Sequence, residues 1–249
     1  MGSPERPRRD GEAVGLAPFW AIAQADLGSL FRSRLTYGWL LAAVFIQVVR
    51  TLGSGAAATS SVVPSGLSDL VYIWSLVLIG LAASSVSSEA GELADSIMSK
   101  SVTRLDYILA KFTSRIAYAL VCFSVVTVVL VGLSLRLDVS DYNTAGLIEA
   151  VLLVALALVA LTTLGVGLSV ALRNTVMAMV TLLVLWYAMT FFFPILGLDA
   201  LSPGSMLGDL PTIVRGSWTT SDWESVAGFL AISVASTALA SAYFHVKDI

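Results

Sequence analysis

The amino-acid sequence predicts an all-α integral membrane protein with six transmembrane helices. Of its 249 residues, 57% are hydrophobic and 12% are charged, whereas soluble chains are about 25% charged. Six apolar runs each reach the length of about 20 residues that a membrane-spanning helix needs. Lysine and arginine concentrate in alternate connecting segments, which is typical of cytoplasmic loops.

The six predicted spans are separated by short polar segments. They cover residues 36–56, 66–86, 112–135, 150–172, 175–195 and 225–244. The first contains Arg50, whose long side chain can reach the membrane surface if it lies near a helix end. The stretch from Thr51 to Pro64 is then predicted to be the outer end of this helix followed by a loop of small residues.

The basic residues predict the orientation in the membrane. With a cytoplasmic N-terminus, eleven basic residues lie inside and three lie outside. The outer residues are Arg50, Arg136 and Arg215. The inner residues are Arg6, Arg8, Arg9, Arg32, Arg34, Lys100, Arg104, Lys111, Arg115, Arg173 and Lys247. The sequence therefore predicts a multi-pass protein of the cell (inner, cytoplasmic) membrane with both termini in the cytoplasm.

Two segments precede the first span. Residues 1–15 are polar and are predicted to be a disordered cytoplasmic tail, since no apolar run of a signal peptide follows the arginines. Residues 16–249 form the membrane domain. Between residues 16 and 34, Phe19, Ala23 and Leu27 share one arc, which predicts an elbow helix in the membrane interface. A frayed start of span one is the alternative, but Asp26 would be costly deeper in the bilayer.

The longest outer segment, residues 197–224, is broken by prolines and glycines. Its Trp218 and Trp223 suit a membrane–water boundary. The pattern leaves open whether this segment contains short re-entrant helices.

A block of mixed charge, SSEAGELADSIMSKSVTRLDYILAK, occupies residues 87–111 between spans two and three. On a helical wheel, residues 89–100 divide into a charged side and an apolar side, which predicts a cytoplasmic amphipathic helix of about three turns. A solvated loop that only sets the topology is the alternative. A loop that only sets the topology needs basic residues alone, whereas this block begins with acidic ones. Its apolar side would be unfavourable in water, so we expect a protein partner to cover it.

The sequence also predicts that a new helix begins within the second half of this block. The tetrapeptide TRLD has the form of a capping box, with Thr103 as N-cap and Asp106 three residues later. The helix that begins there runs into span three. Arg104, Lys111 and Arg115 share one stripe of it and are predicted to lie at lipid headgroups.

Catalytic and cofactor chemistry is not predicted. The dipeptide Gly-Lys of a phosphate-binding loop does not occur. The single histidine, His245, rules out an intramembrane Ser–His dyad and a His-rich metal site. The basic residues form no dense cluster of the kind that binds nucleic acid. No buried charge pair marks a proton or ion relay, and threonines within the spans most simply bond back to their own helix.

The mixed-charge block resembles the first intracellular segment of ABC-2 type permeases. That segment begins with an acidic helix, which is followed by a short turn similar to Ser-x-Pro-Val-Ser-Arg. A hydrophobic stretch that ends in Gly-Lys then enters the membrane. Here the turn runs from Ser99 to Arg104 and the final lysine is Lys111. Ser101 stands where proline is usual, Ala110 where glycine is usual, and residues 93–95 depart from Gly-Thr-Leu. The layout is also similar, with an elbow helix, six spans, a Ser202-Pro203 element and a short C-terminal tail.

This resemblance implies a permease subunit of an ABC exporter. In that family the acidic helix is the coupling helix, which inserts into a groove of a separate ATPase subunit, and two ATPases act on two permeases. The implied coupling residues are Glu89, Glu92, Leu93, Asp95, Ile97, Lys100 and Arg104. The candidate translocation-path residues are Ser84, Ser85 and Ser88, expected to be wetted at the inner end of span two, with Thr162 and Thr163.

The resemblance implies three kinds of partner: two copies of a separate ABC ATPase, a second copy of this chain or a related permease, and the lipid bilayer. A secondary carrier or channel is the alternative class, and it calls for intramembrane charges or broken, mutually related helices. An intramembrane enzyme is a further alternative, which calls for catalytic groups that the sequence lacks. The cargo and its direction do not follow from the sequence.

Overall fold

The computed structural model describes residues 17–54, 58–87, 103–136, 141–172 and 174–246. Within these ranges the chain forms nine α-helices and no β-strand. The helices are α1 (Ala17–Arg32), α2 (Arg34–Gly53), α3 (Thr59–Asp69), α4 (Ser75–Ala83), α5 (Arg104–Ser134), α6 (Thr144–Ala171), α7 (Thr175–Phe191), α8 (Pro203–Val214) and α9 (Thr220–Val246). A π-helical turn, Leu70–Trp74, joins α3 to α4. The predicted tail, residues 1–15, lies outside the described residues.

Among the described residues, five segments are long and apolar enough to cross a membrane. They are α2, the continuous stretch Thr59–Ala83 formed by α3 and α4, α5, α6 and most of α9. The fifth predicted span corresponds to α7, which has 17 residues and ends at Phe191. A turn and the 3-10 helix Pro194–Leu196 continue it. The all-helical membrane architecture is confirmed, whereas the count of six spans stays a prediction.

Span two begins earlier than predicted. The residues from Thr59 to Pro64 were expected in a loop, but they form the first turns of α3, with Pro64 inside the helix. Asp141, far along the chain, accepts a hydrogen bond from the Ser60 backbone N–H at 2.9 Å. This carboxylate acts as a cap in place of a local one, because the first N–H groups of a helix have no intrahelical acceptor.

The loops fall into two groups at opposite ends of the helices. At one end, the starts of α3 and α6 meet the end of α8, where Arg215 Nε donates to Ser60 Oγ at 3.1 Å and lies 3.6 Å from Asp141 Oδ2. We name this the outer end, following the predicted orientation. At the inner end, α1 contacts the first turns of α5, and Tyr107 stacks on Phe244 of α9 at 6.1 Å.

Helix α6 lies at the centre of the bundle and contacts α3, α4, α5, α7, α8 and α9. Its small residues permit close packing. A Cβ added at Gly165 would lie 2.5 Å from the Ala82 Cβ on α4 and 2.8 Å from Leu182 Cδ2 on α7. Glycine is therefore required where these three helices converge.

The N-terminal helix α1 is separate from span one. The chain breaks at Ser33, whose extended backbone (φ −67°, ψ 131°) and side chain cap the start of α2. Its position in the membrane interface stays a prediction. The segment between α7 and α9 contains the 12-residue helix α8, which packs on α3, α6 and α7.

Candidate coupling and transport sites

A buried ionic cluster fastens α1 to α5 at the inner end. Lys111 Nζ donates to Asp26 Oδ1 at 2.8 Å, and Arg115 Nη2 donates to the same oxygen at 3.3 Å. Ser114 Oγ donates to the other carboxylate oxygen. Asp26, Lys111 and Arg115 are 9%, 3% and 8% exposed. The spacing of Lys111, Ser114 and Arg115 places all three on one face of α5.

The cluster keeps the carboxylate ionised. Burial raises the pKa of Asp26, but the Arg115 charge and the hydrogen bonds from Lys111 and Ser114 outweigh it, so the pKa lies below the ordinary value of 3.8. Lys111 and Arg115 both direct their charged groups at this one carboxylate. Arg115 Nε has no hydrogen-bond partner among the described residues.

The buried ionic cluster differs from what the sequence predicts. Lys111 and Arg115 do not lie at lipid headgroups, because α1 covers them and supplies Asp26 as a partner for both. The pairing of these two residues with Asp26 was not predicted. Opposite charges in the elbow segment and at the start of span three were the signal, but their separation along the chain concealed the contact.

A second layer of contacts continues the joint one turn further along α5. The Tyr118 hydroxyl accepts a hydrogen bond from Trp39 Nε1 at 2.9 Å and lies 2.9 Å from Thr36 Oγ1. Thr36 Oγ1 donates to the Leu30 carbonyl oxygen at 2.7 Å. The end of α1, the start of α2 and the first half of α5 are therefore held together as one unit. We call the ionic cluster and these three contacts the inner joint.

The N-cap role predicted for Thr103 at the start of α5 is confirmed. The Thr103 side chain accepts a hydrogen bond from the Asp106 N–H at 3.1 Å, and its hydroxyl donates to the Asp106 carboxylate at 2.6 Å. Arg104, the described member of the predicted coupling residues, is partly buried there. It lines a groove of about 390 Å³ together with Ser241 and Phe244 of α9.

The other predicted coupling residues lie outside the described residues. They are Glu89, Glu92, Leu93, Asp95, Ile97 and Lys100. The amphipathic helix predicted for residues 89–100 and its role in coupling stay predictions.

The inner end of span two is packed against α6 and α7. Ser169 Oγ accepts hydrogen bonds from the N–H groups of Val86 at 3.0 Å and Ser87 at 2.9 Å. Ser84 is partly exposed, whereas Ser85 is fully buried, and its hydroxyl has no partner among the described residues. The wetted surface expected here is thus not open at Ser85.

The remaining candidate path residues are also packed or not described. Thr162 and Thr163 are each 1% exposed. They bond back to the carbonyl oxygens of Leu158 at 2.7 Å and Ala160 at 3.0 Å, as threonines in membrane helices commonly do. Ser88 lies outside the described residues. The translocation role of these residues stays a prediction.

An ion pair that the sequence analysis did not predict joins α2 to α3. Arg50 Nη1 donates to the Asp69 carboxylate and to the Ser65 carbonyl oxygen at 3.3 Å. Arg50 thus has a partner within the bundle, although its guanidinium was expected to reach the membrane surface alone. The presence of opposite charges in two consecutive predicted spans was the available signal.

The geometry defines a class of protein: a multi-pass membrane protein whose long apolar helices are joined by charged clusters. A family model, that of the ABC-2 family transporter protein, matches residues 95–249. This region is more than half of the chain and contains α5 to α9, and the chain therefore belongs to the ABC-2 transporter family. Comparison with curated proteins finds no match.

Family membership gives the general role of the chain. It is a membrane component of an ABC transporter, and the family implies association with an ABC ATPase and with membrane lipid. The resemblance carried by residues 87–111 is thereby confirmed at the level of the family.

Proposed function

We propose that this chain is a permease subunit that moves its cargo outward across the cytoplasmic membrane while a separate ATPase subunit hydrolyses ATP. Two copies of each subunit form the working unit, and both termini of the permease face the cytoplasm. The observation that carries the proposal is the inner joint, which fastens α1, α2 and α5 to one another in a chain of the ABC-2 family.

Helix α5 offers a direct route for coupling. Its 31 residues extend over about 46 Å at 1.5 Å per residue, more than the roughly 30 Å of a hydrocarbon core. It therefore reaches beyond the core, and its capped start follows the segment proposed to bind the ATPase. A displacement of that segment would be transmitted along α5 and, through Asp26, to α1.

The proposed contact with the ATPase uses both sides of residues 89–100. Leu93 and Ile97 supply apolar burial, worth about 1.5–3 kcal/mol each if complete. Glu89, Glu92 and Asp95 face basic groups of the ATPase, where charges at the rim mainly set register and partner choice. Lys100 and Arg104 border the contact next to the start of α5.

The cargo path is proposed to open between α4 and α6. Ser84, Ser85 and Ser88 follow α4, and Thr162 and Thr163 lie on α6. The unsatisfied hydroxyl of Ser85 supports this proposal, because separation of α4 from α6 would give it water as a partner.

The test is a double substitution, Leu93→Asp with Ile97→Asp, in the full-length chain expressed with its ATPase. The proposal expects loss of co-purification and of transport, because two carboxylates cannot be buried in an apolar contact. Glu92→Lys should leave the complex intact and weaken the link between ATP hydrolysis and transport.

A matched control adds two carboxylates at the other end of the molecule. In Ile195→Asp with Leu198→Asp, the substituted side chains are 78% and 43% exposed, and the ATPase should stay bound. If the Leu93/Ile97 variant binds the ATPase and transports normally, residues 89–100 are a solvated topology loop and the proposed coupling is wrong.

A further inference from the structure

Helix lengths place the Arg50–Asp69 ion pair at membrane depth. Arg50 follows Arg34, the first residue of α2, by 16 residues. Asp69 precedes Ala83, the last residue of α4, by 14 residues. At 1.5 Å per residue, the pair lies about 21–24 Å from the inner helix ends, and thus about 6–9 Å inside the outer boundary of a 30 Å core.

The pair is open to the surroundings of the chain. Its side chains are 43% and 20% exposed, and the flanking Val49 and Ile73 are 53% and 54% exposed. Charged side chains at this depth face a bundle interior or a water-filled cavity, because contact with lipid is costly. The surface around Arg50 and Asp69 is therefore poorly suited to lipid.

The contact between α2 and α3 has spare hydrogen-bonding capacity beside the pair. Gln47 is fully buried and Thr51 is 1% exposed. Gln47 Nε2 donates to the Gly66 carbonyl oxygen at 3.2 Å. Gln47 Oε1 and Thr51 Oγ1 have no partner among the described residues.

The backbone is irregular at the same level. The π-helical turn Leu70–Trp74 begins at the residue after Asp69. Such turns are rare within α-helices and occur frequently at functional sites. Charge, unsatisfied buried oxygens and a π-turn thus coincide on one short section of the bundle.

We propose that Arg50 and Asp69 line a water-filled section of the cargo pathway in the outer half of the membrane, where they contact a charged or zwitterionic group of the cargo. The inference rests on the proposed transport function and narrows the cargo to molecules that carry such a group. Asp69 meets a cationic part of the cargo and Arg50 an anionic part, through charge-assisted hydrogen bonds.

The test measures the access of water to this site with a cysteine that leaves the pair intact. Ser65→Cys is nearly isosteric and lies one turn from Asp69, and Cys122→Ser removes the native thiol, which is 1% exposed. Val128→Cys is the control for a lipid-facing site. Val128 is 71% exposed on α5, and it lies about 9 Å below the outer end of that helix at 1.5 Å per residue.

The full-length complex with its ATPase, in lipid nanodiscs, is treated with a membrane-impermeant methanethiosulfonate. We expect the Ser65→Cys variant to react at least about tenfold faster than the Val128→Cys variant, because the reacting thiolate needs water. Equal, slow reaction at both positions overturns the proposal and shows a site covered by lipid or by dry protein. Such a result in an intact complex leaves the coupling proposal standing.

The charges are tested by adding Asp69→Asn to the Ser65→Cys variant. Removal of the carboxylate leaves Arg50 uncompensated, so reaction with an anionic methanethiosulfonate should gain several-fold relative to a cationic one. An unchanged ratio means that the pair does not face the aqueous pathway. If the variant does not form a complex, the comparison of Ser65→Cys with Val128→Cys still decides the proposal.

Discussion

Replacement of Asp26 by alanine should destabilise the protein more than almost any other single substitution at its inner end. The change removes the carboxylate that both Lys111 and Arg115 contact, and these two cations are only 3% and 8% exposed. Loss of one partner of a buried ion pair costs about 3–5 kcal/mol. For a chain of this size, about 2–4 °C of melting temperature is lost per kcal/mol, which predicts a decrease of roughly 6–20 °C.

The assay is the melting temperature of the purified full-length protein, followed by fluorescence-detected size exclusion after heating. Glu224→Gln is the control, because its carboxylate is exposed and such surface changes stay within about 0.5 kcal/mol. Lys111→Met should cost less than Asp26→Ala, since it leaves the Asp26 carboxylate with Arg115 and Ser114 as partners. A melting temperature of Asp26→Ala equal to that of wild type would refute the ionic cluster as the element that holds α1.

The pH dependence follows from the direction of the Asp26 pKa. Because the folded pKa lies below the ordinary value of 3.8, the carboxylate contributes stability that is present above that value and lost as the pH falls through the folded pKa. The difference in melting temperature between wild type and Asp26→Asn should therefore be constant from neutral pH to about 5 and shrink only below about 4. A difference that already vanishes near pH 6 would contradict the assigned ionisation.

Two further predictions concern packing and topology. Gly165→Ala should destabilise the bundle by about 1–3 kcal/mol through overpacking, whereas Gly167→Ala, whose nearest contact would be an ordinary 3.5 Å, should not, as melting temperatures would show. With Cys122→Ser as background, a membrane-impermeant thiol reagent should label intact cells carrying Ser217→Cys but not Ser99→Cys. The first prediction fails if both glycine variants melt alike, and the second if position 99 is labelled from outside.

Local chemistry was sufficient to predict part of the fold. Apolar length located the main spans, and the Thr103 hydroxyl with Asp106 three residues later located the start of α5, because a capping box is formed by neighbouring residues. The start of α3 was missed because its cap, Asp141, comes from a distant loop. A sequence pattern records only short-range partners, so a helix start with a remote cap looks like a loop.

The charged residues show the same limit. The sequence placed Lys111 and Arg115 on one stripe of a helix, but a stripe does not say whether lipid headgroups or another helix face it. Only the fold brings Asp26 to them, and likewise Asp69 to Arg50. Glu92 and Leu93, which are predicted to couple the chain to an ATPase, lie outside the described residues, so that prediction depends on the sequence pattern alone.

The most direct test of a permease coupled to a separate ATPase is purification of the tagged full-length chain from its native membrane in mild detergent. We expect a complex that contains an ABC ATPase in equal copy number, two of each subunit, and we expect ATP hydrolysis and cargo movement to be lost together when the ATPase is removed. A chain that purifies as a lone monomer and transports without any ATPase would contradict it.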